Sequence, residues 1–156
     1  MDIFSSVIPG VLYISSYEWA ESRERLREYE IDHVVMLGSE DDFHHYYKTF
    51  EEIEYFDVII DDELDAEMSI DMLDKICEFI ESACGPVLVH CFAGRSRSAA
   101  VVIAYLMRTQ KRKYRHLTLS EAYDFLLDKH PPTAPNAKFM RDLKVYEQHL
   151  VLKRNI

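Results

Sequence analysis

The sequence predicts an α/β domain, on three observations. Short β-branched runs alternate with stretches of helical apolar spacing, the pattern of strands laid beside helices. No internal repeat, low-complexity tract or Gly/Ser linker breaks that alternation, so residues 1–156 read as one domain. Helix start and stop signals fall between the apolar runs, not inside them.

Taken in order, Val11 to Ile14 reads as a short strand after the Pro9-Gly10 turn. Trp19 to Tyr29 has helical character, and Asp32 to Leu37 is a buried strand. A further strand covers Tyr55 to Ile60. Ile70, Leu73, Ile76, Cys77 and Ile80 recur at helical spacing, which predicts an amphipathic helix over 69–82, ended by Gly85-Pro86. Val87-Leu88-Val89 suits a central strand. Ser98 to about Gln110 is apolar on every side, as a helix inside the core must be. Thr118 and Glu121 form a capping box that opens the next helix, which stops before Pro131-Pro132. Asn136 caps a last helix running to about Val151.

The bulk properties exclude several function classes. A net charge of −10 repels nucleic acid and anionic membranes, so an anionic substrate needs a local positive site. The longest apolar run, Ala99 to Met107, is too short to span a bilayer. The start carries no basic residue and no myristoylation glycine, and the end has no prenylation cysteine. Neither a secretory signal nor a lipid anchor is therefore expected. Three cysteines make an odd count, so reduced thiols in the cytoplasm or nucleus are expected.

The segment VLVHCFAGRSRS, residues 87–98, carries the chemistry. A strand delivers Cys91, a short loop with Gly94 comes next, and Arg97 and Ser98 stand at a helix start. Successive backbone N–H groups in such a loop converge on one spot, where the helix dipole adds positive character. Thiols in such cradles ionise readily, because the thiolate is the stabilised form. The same amides, from Phe92 through Ser96, receive phosphoryl oxygens, and Arg97 can grip two of them in a fork. A nucleophile and an oxyanion receptor share one loop, which describes a phosphate-ester site. A lone cysteine after an apolar strand is usually a small buried hydrophobe. Five fixed positions (His90, Cys91, Gly94, Arg97, Ser98) recur by chance only on the order of once in a million starting points.

His90-Cys91-x-x-Gly94-x-x-Arg97-Ser98 resembles the signature of the protein tyrosine phosphatases, and HCFAGRSRSAAVVIAYLM is similar to their dual-specificity branch. The opening Ile8 to Ile14 and the closing Pro135-Asn136, Phe139-Met140 and Leu143 extend the resemblance over nearly the whole chain. It implies a three-layer fold, a central mixed sheet flanked by helices. It also implies a phosphocysteine intermediate, a phosphoprotein substrate and no metal or other cofactor. In that scheme Cys91 attacks phosphorus and Arg97 stabilises the equatorial oxygens. Arg95 stands at the pocket rim. His90 restrains Cys91 through the loop backbone, a plain strand-capping histidine being the other reading. Ser98 eases thiolate departure, and can also be a helix N-cap. Asn136 supports the loop from the side.

The family's general acid is an aspartate on a loop about 30 residues before the cysteine. It lands on Asp62 within Ile60-Asp61-Asp62-Glu63, with Asp61 and Glu63 as competitors. The family's deep phosphotyrosine-recognition loop is missing, so the resemblance implies a shallow pocket open to phosphotyrosine, phosphoserine and phosphothreonine. Two alternatives use the same loop: a phosphoinositide or RNA 5′-phosphate phosphatase, and a non-catalytic phosphate reader. The apolar Phe92 and Ala93 and the acidic net charge speak against the first. The presence of both Cys91 and Arg97 speaks against the second.

Other features have plainer readings. The stretch 108–116, RTQKRKYRH, is a solvated helix end or, more sharply, a docking patch for an acidic partner. Cys77 lies on an apolar helix face. Cys84 sits on the order of 20 Å from Cys91 along an extended strand, too far for a disulfide. His44-His45 is not at ligand spacing, so both are surface histidines and no metal site is expected.

Overall fold

The computed structural model describes residues 2–109 and 117–155. Its elements run β1 (Phe4–Ile8), β2 (Leu12–Ser16), α1 (Tyr17–Ala20), α2 (Arg23–Glu28), β3 (His33–Gly38), α3 (Glu40–His45) and β4 (Glu54–Ile59). They continue with α4 (Ile70–Ser82), β5 (Val87–Cys91), α5 (Arg97–Arg108), α6 (Leu119–Lys129) and α7 (Ala137–Arg154).

The strands form one mixed sheet in the order β1-β2-β5-β3-β4. β1 and β2 are an antiparallel hairpin turned at Gly10, whose φ of 74° suits glycine. β2, β5, β3 and β4 are all parallel. Alternating side chains divide the core into two layers, as the pleat requires. Leu12, Ile14, Val35, Leu37, Val87 and Val89 pack with α4–α7 on one face. Tyr13, Val34, Met36 and Leu88 pack with Trp19 and Leu26 of α1 and α2 on the other. Helices on both faces of a mixed sheet make the three layers expected from the sequence. α5 is the centre of its layer: every residue from Arg97 to Met107 is buried, and α4, α6 and α7 all pack on it.

The structure corrects several boundaries. The helix read over Trp19–Tyr29 is two, because Ser22 leaves helical geometry and caps α2 by accepting from the Arg25 N–H. β1 and α3 were not expected. β1 is an edge strand with two central serines, and α3 is a polar helix opened by a Ser39–Asp42 capping box. Ser98 does not cap α5. Ser96 holds that position, and Ser98 lies inside the first turn. Of the basic stretch, residues 110–116 lie outside the described residues. Arg108 is neither solvated nor free to dock a partner, since it pairs with Asp74 and Glu81 of α4. Among the described residues, no helix is long and apolar enough to cross a membrane.

Candidate active site

All four parallel strands end on the same side of the sheet, and the segments leaving their carboxyl ends converge there. Ligand sites form outside the carboxyl ends of parallel strands for this reason. β5 delivers Cys91, β2 delivers Ser15 and Ser16, β3 leads to Asp42 on α3, and β4 leads to Ile60 and Asp62. The loop Phe92–Ser96 then crosses from β5 to α5.

That loop turns its carbonyls outward. Phe92 O accepts from Tyr17 N at 3.2 Å, and Arg95 O accepts from Ala134 N at 2.8 Å. Gly94 O accepts from His130 Nε2 at 2.6 Å. Each trans peptide plane holds the next N–H opposite its carbonyl. The amides of Ala93, Arg95 and Ser96 therefore face the concave side. Gly94 makes the turn possible. Its φ is 72°, and a Cβ there would lie 2.8 Å from Ser16 N and 2.9 Å from the Ser15 carbonyl carbon. These are backbone atoms that cannot swing aside. Gly94→Ala is expected to destabilise the protein by roughly 2–4 kcal/mol and to lower turnover at least tenfold, because strain and collision add. Urea unfolding and initial rates on an aryl phosphate check this; a variant matching wild type in both contradicts it.

Cys91 is buried, and its Sγ lies 3.1 Å from Ser98 Oγ. His90 is buried beside it, with Nδ1 3.3 Å from Cys91 O and its ring edge-on to Tyr47 at 4.9 Å. Burial drives the His90 imidazole down from its ordinary value to about 4, so it stands neutral as a backbone donor. The unfolded chain binds that proton more tightly than the fold does. Stability is therefore complete above about pH 6.5 and is lost as pH falls towards 4. Burial lowers His130 in the same direction. Unfolding free energies from urea titrations are expected to drop between pH 7 and pH 5, by on the order of 2 kcal/mol from His90 alone. A flat profile over that window would contradict the buried neutral ring.

Arg97 is 7% exposed, yet its charge is secure. Nη1 donates to Asp42 Oδ2 at 3.0 Å and to Ile60 O at 3.1 Å. Burial works against the guanidinium, but Cys91, Tyr47 and Asp42 outweigh it and raise its pKa. Among the described residues Nε is buried without a partner, so these contacts leave the Nε–Nη2 edge for a ligand. A buried donor left open beside a thiol and three inward amides is what a tetrahedral oxyanion would satisfy.

Of the three candidate acids, only Asp62 reaches the loop with its side chain. Its Oδ1 accepts from Ser96 Oγ at 2.7 Å and from Asn136 Nδ2 at 2.9 Å. Glu63 offers Asn136 only its carbonyl, at 3.4 Å, and Asp61 lines a groove with Ser39, Glu40 and Met72. Asn136 also donates its N–H to Ser96 Oγ while its side chain caps α7. Phe92 leaves the loop sideways into a ring cluster, 4.6 Å from Tyr17 and 5.2 Å from the exposed Tyr46. Ala93 and Arg95 are exposed at the rim.

Residues that sequence reasoning missed are Asp42, His130, Ser5 and the tyrosines. The Ser39-x-x-Asp42 spacing was a signal for the first; the others approach from distant segments. His44 and His45 are exposed, and no cluster of three ligating side chains occurs among the described residues. All three cysteines are free, and burial pushes the Cys77 thiol up to about 12, that of an inert core group.

A mixed sheet between two helical layers, carrying this loop, defines a cysteine-loop phosphatase domain. Residues 12–149 match the family "Dual specificity phosphatase, catalytic domain", and the chain belongs to it. It is 36% identical over 150 residues to dual specificity protein phosphatase Mpk3 of Drosophila melanogaster, covering 94% of this chain and 34% of that protein. It is 33% identical to dual specificity protein phosphatase 1 of Arabidopsis thaliana, covering 96% of this chain and 72% of that one. The chain thus spans about a third of the Drosophila relative's length. Among solved structures, human DUSP28 superposes with a TM-score of 0.82 at 28% identity, covering 95% of each chain.

Proposed function

We propose that residues 1–156 form one catalytic domain that hydrolyses phosphoprotein monoesters, phosphotyrosine together with phosphoserine and phosphothreonine. The observation that carries this reading is the open buried edge of Arg97 beside Cys91, under amides turned inward.

Cys91 Sγ attacks phosphorus, forming the S–P bond as the ester P–O bond breaks, and Asp62 delivers its proton to the departing oxygen. Water then attacks the phosphocysteine, Asp62 takes the water's proton, and the S–P bond breaks to release inorganic phosphate. Ser98 donates to the departing thiolate across the 3.1 Å contact. His90 holds the Cys91 carbonyl and takes no part in proton transfer. Asn136 and Ser96 aim Asp62. The ring cluster of Tyr17, Tyr46 and Phe92 offers a wall to a phosphotyrosyl ring, which supports phosphotyrosine among the substrates. A thiol nucleophile works best in a reducing compartment, which supports a cytoplasmic or nuclear location.

Side-by-side kinetics of Asp62→Ala and Asp61→Ala test the assignment. Asp62→Ala is expected to lower kcat on a phosphopeptide about 100-fold, a general acid's share, with little change in binding. Asp61→Ala stays near wild type. Equal loss in both, or loss in Asp61→Ala alone, reassigns the acid. A phosphopeptide left intact by the wild-type chain rejects the activity itself.

A further inference from the structure

His130 is the one fully buried histidine with a partner at each ring nitrogen, among the described residues. Nε2 lies 2.6 Å from Gly94 O, and Nδ1 lies 2.7 Å from Ser5 Oγ. A carbonyl only accepts, so Nε2 carries the hydrogen; in the neutral ring Nδ1 then accepts from the Ser5 hydroxyl. Burial, with Arg95 nearby, favours that neutral ring. The imidazole is therefore locked in one tautomer between the edge strand β1 and the phosphate loop. Its own backbone is braced too, since Thr133 donates both its N–H and its hydroxyl to His130 O, at 3.0 and 2.7 Å.

The contact falls at the loop's softest point. Gly94, with no Cβ, has more accessible φ/ψ states than any neighbour, so nothing intrinsic stops the Gly94–Arg95 peptide from rotating. If that plane turned, the Arg95 N–H would leave the phosphate side. On either side of it the loop is already tied, by Tyr17 to Phe92 O and by Ala134 to Arg95 O.

We propose that His130 is a positioning residue of the phosphate site: through Gly94 O it holds the Gly94–Arg95 peptide so that the Arg95 N–H faces the phosphoryl group. The inference rests on the phosphatase reading, but it is testable apart from it, because oxyanion binding reads the loop without turnover.

The experiment compares the full chain with His130→Leu, His130→Gln and His130→Asn, using kcat and KM on para-nitrophenyl phosphate and orthovanadate affinity by calorimetry. Glutamine sets its amide N–H near the Nε2 position, while asparagine reaches only the Nδ1 position. His130→Leu is expected to lower kcat roughly 30-fold, less than the 10²–10³ of deleting an oxyanion donor outright. Vanadate affinity falls about tenfold in step with kcat, while KM changes less than about threefold. His130→Gln returns to within about threefold of wild type, and His130→Asn resembles leucine. A folded His130→Leu within twofold of wild type overturns the proposal. So do equal losses in glutamine and asparagine, which also decide the matter if the leucine variant does not fold. A wild-type chain that binds vanadate but turns nothing over rejects the phosphatase reading, while the order of vanadate affinities still decides the role of His130.

Discussion

Cys91→Ser is expected to abolish turnover, by a factor on the order of 10⁴ to 10⁶, while phosphopeptide binding stays within about tenfold of wild type. The oxygen that replaces Sγ is a far weaker nucleophile at neutral pH, and no imidazole stands ready to take its proton. His90 lies on the carbonyl side of Cys91 and is already committed to that oxygen. The receptor is untouched by the change, since the loop carbonyls, Gly94 and Arg97 are fixed by other segments. Single-turnover kinetics and calorimetry with a phosphotyrosyl peptide separate the two effects. Residual turnover above about 1% of wild type would show that the thiol is not the nucleophile. Lost binding together with lost turnover would show that the thiol builds the loop instead.

Arg97→Lys is expected to lower kcat on the order of 10³-fold with only a small change in stability. Lysine keeps the positive charge that Asp42 needs, so the partly buried carboxylate is not stranded. What it loses is the planar fork: Nη1 occupied by Asp42 and Ile60, and a second edge free for two phosphoryl oxygens. One ammonium cannot satisfy Asp42 and bridge two equatorial oxygens at once. Arg97→Ala adds a separate effect. It leaves the partly buried Asp42 carboxylate without its cation, which costs on the order of 1–3 kcal/mol, so that variant also unfolds at lower urea. If lysine retained more than a tenth of wild-type kcat, charge and not geometry would be the working part.

How much of the fold and site was legible in the residues depended on distance along the chain. Strand, nucleophile, glycine turn, arginine and helix start lie within 87–98, so local spacing alone juxtaposed them. The core helices were equally clear, because a Thr118–Glu121 box and the apolar run of α5 carry local signals that tertiary packing did not override. Asp62 needed the family resemblance to single it out, and in the structure its carboxylate is the one of the three that bonds Ser96 and Asn136. Ser96, not Ser98, holds the N-cap of α5, since a helix boundary is uncertain by a residue or two from sequence. Asp42 and His130 were illegible for a different reason. They meet the loop from 55 and 36 residues away, and nothing local to either residue records that meeting. β1 escaped notice because an edge strand needs no continuous apolar run.

The ties to the phosphate loop also order events during synthesis. Cys91 leaves the ribosome well before the segment His130–Asn136 that braces Gly94, Arg95 and Ser96. At translation speeds of ~5–20 residues per second, the roughly 45 residues separating Cys91 from Asn136 take several seconds to make. A nascent chain in that interval carries Cys91 and its loop without the contacts that hold Gly94, Arg95 and Ser96 in place. The loop is braced only as the segment from His130 to Asn136 docks, which makes oxyanion binding a reporter of complete folding.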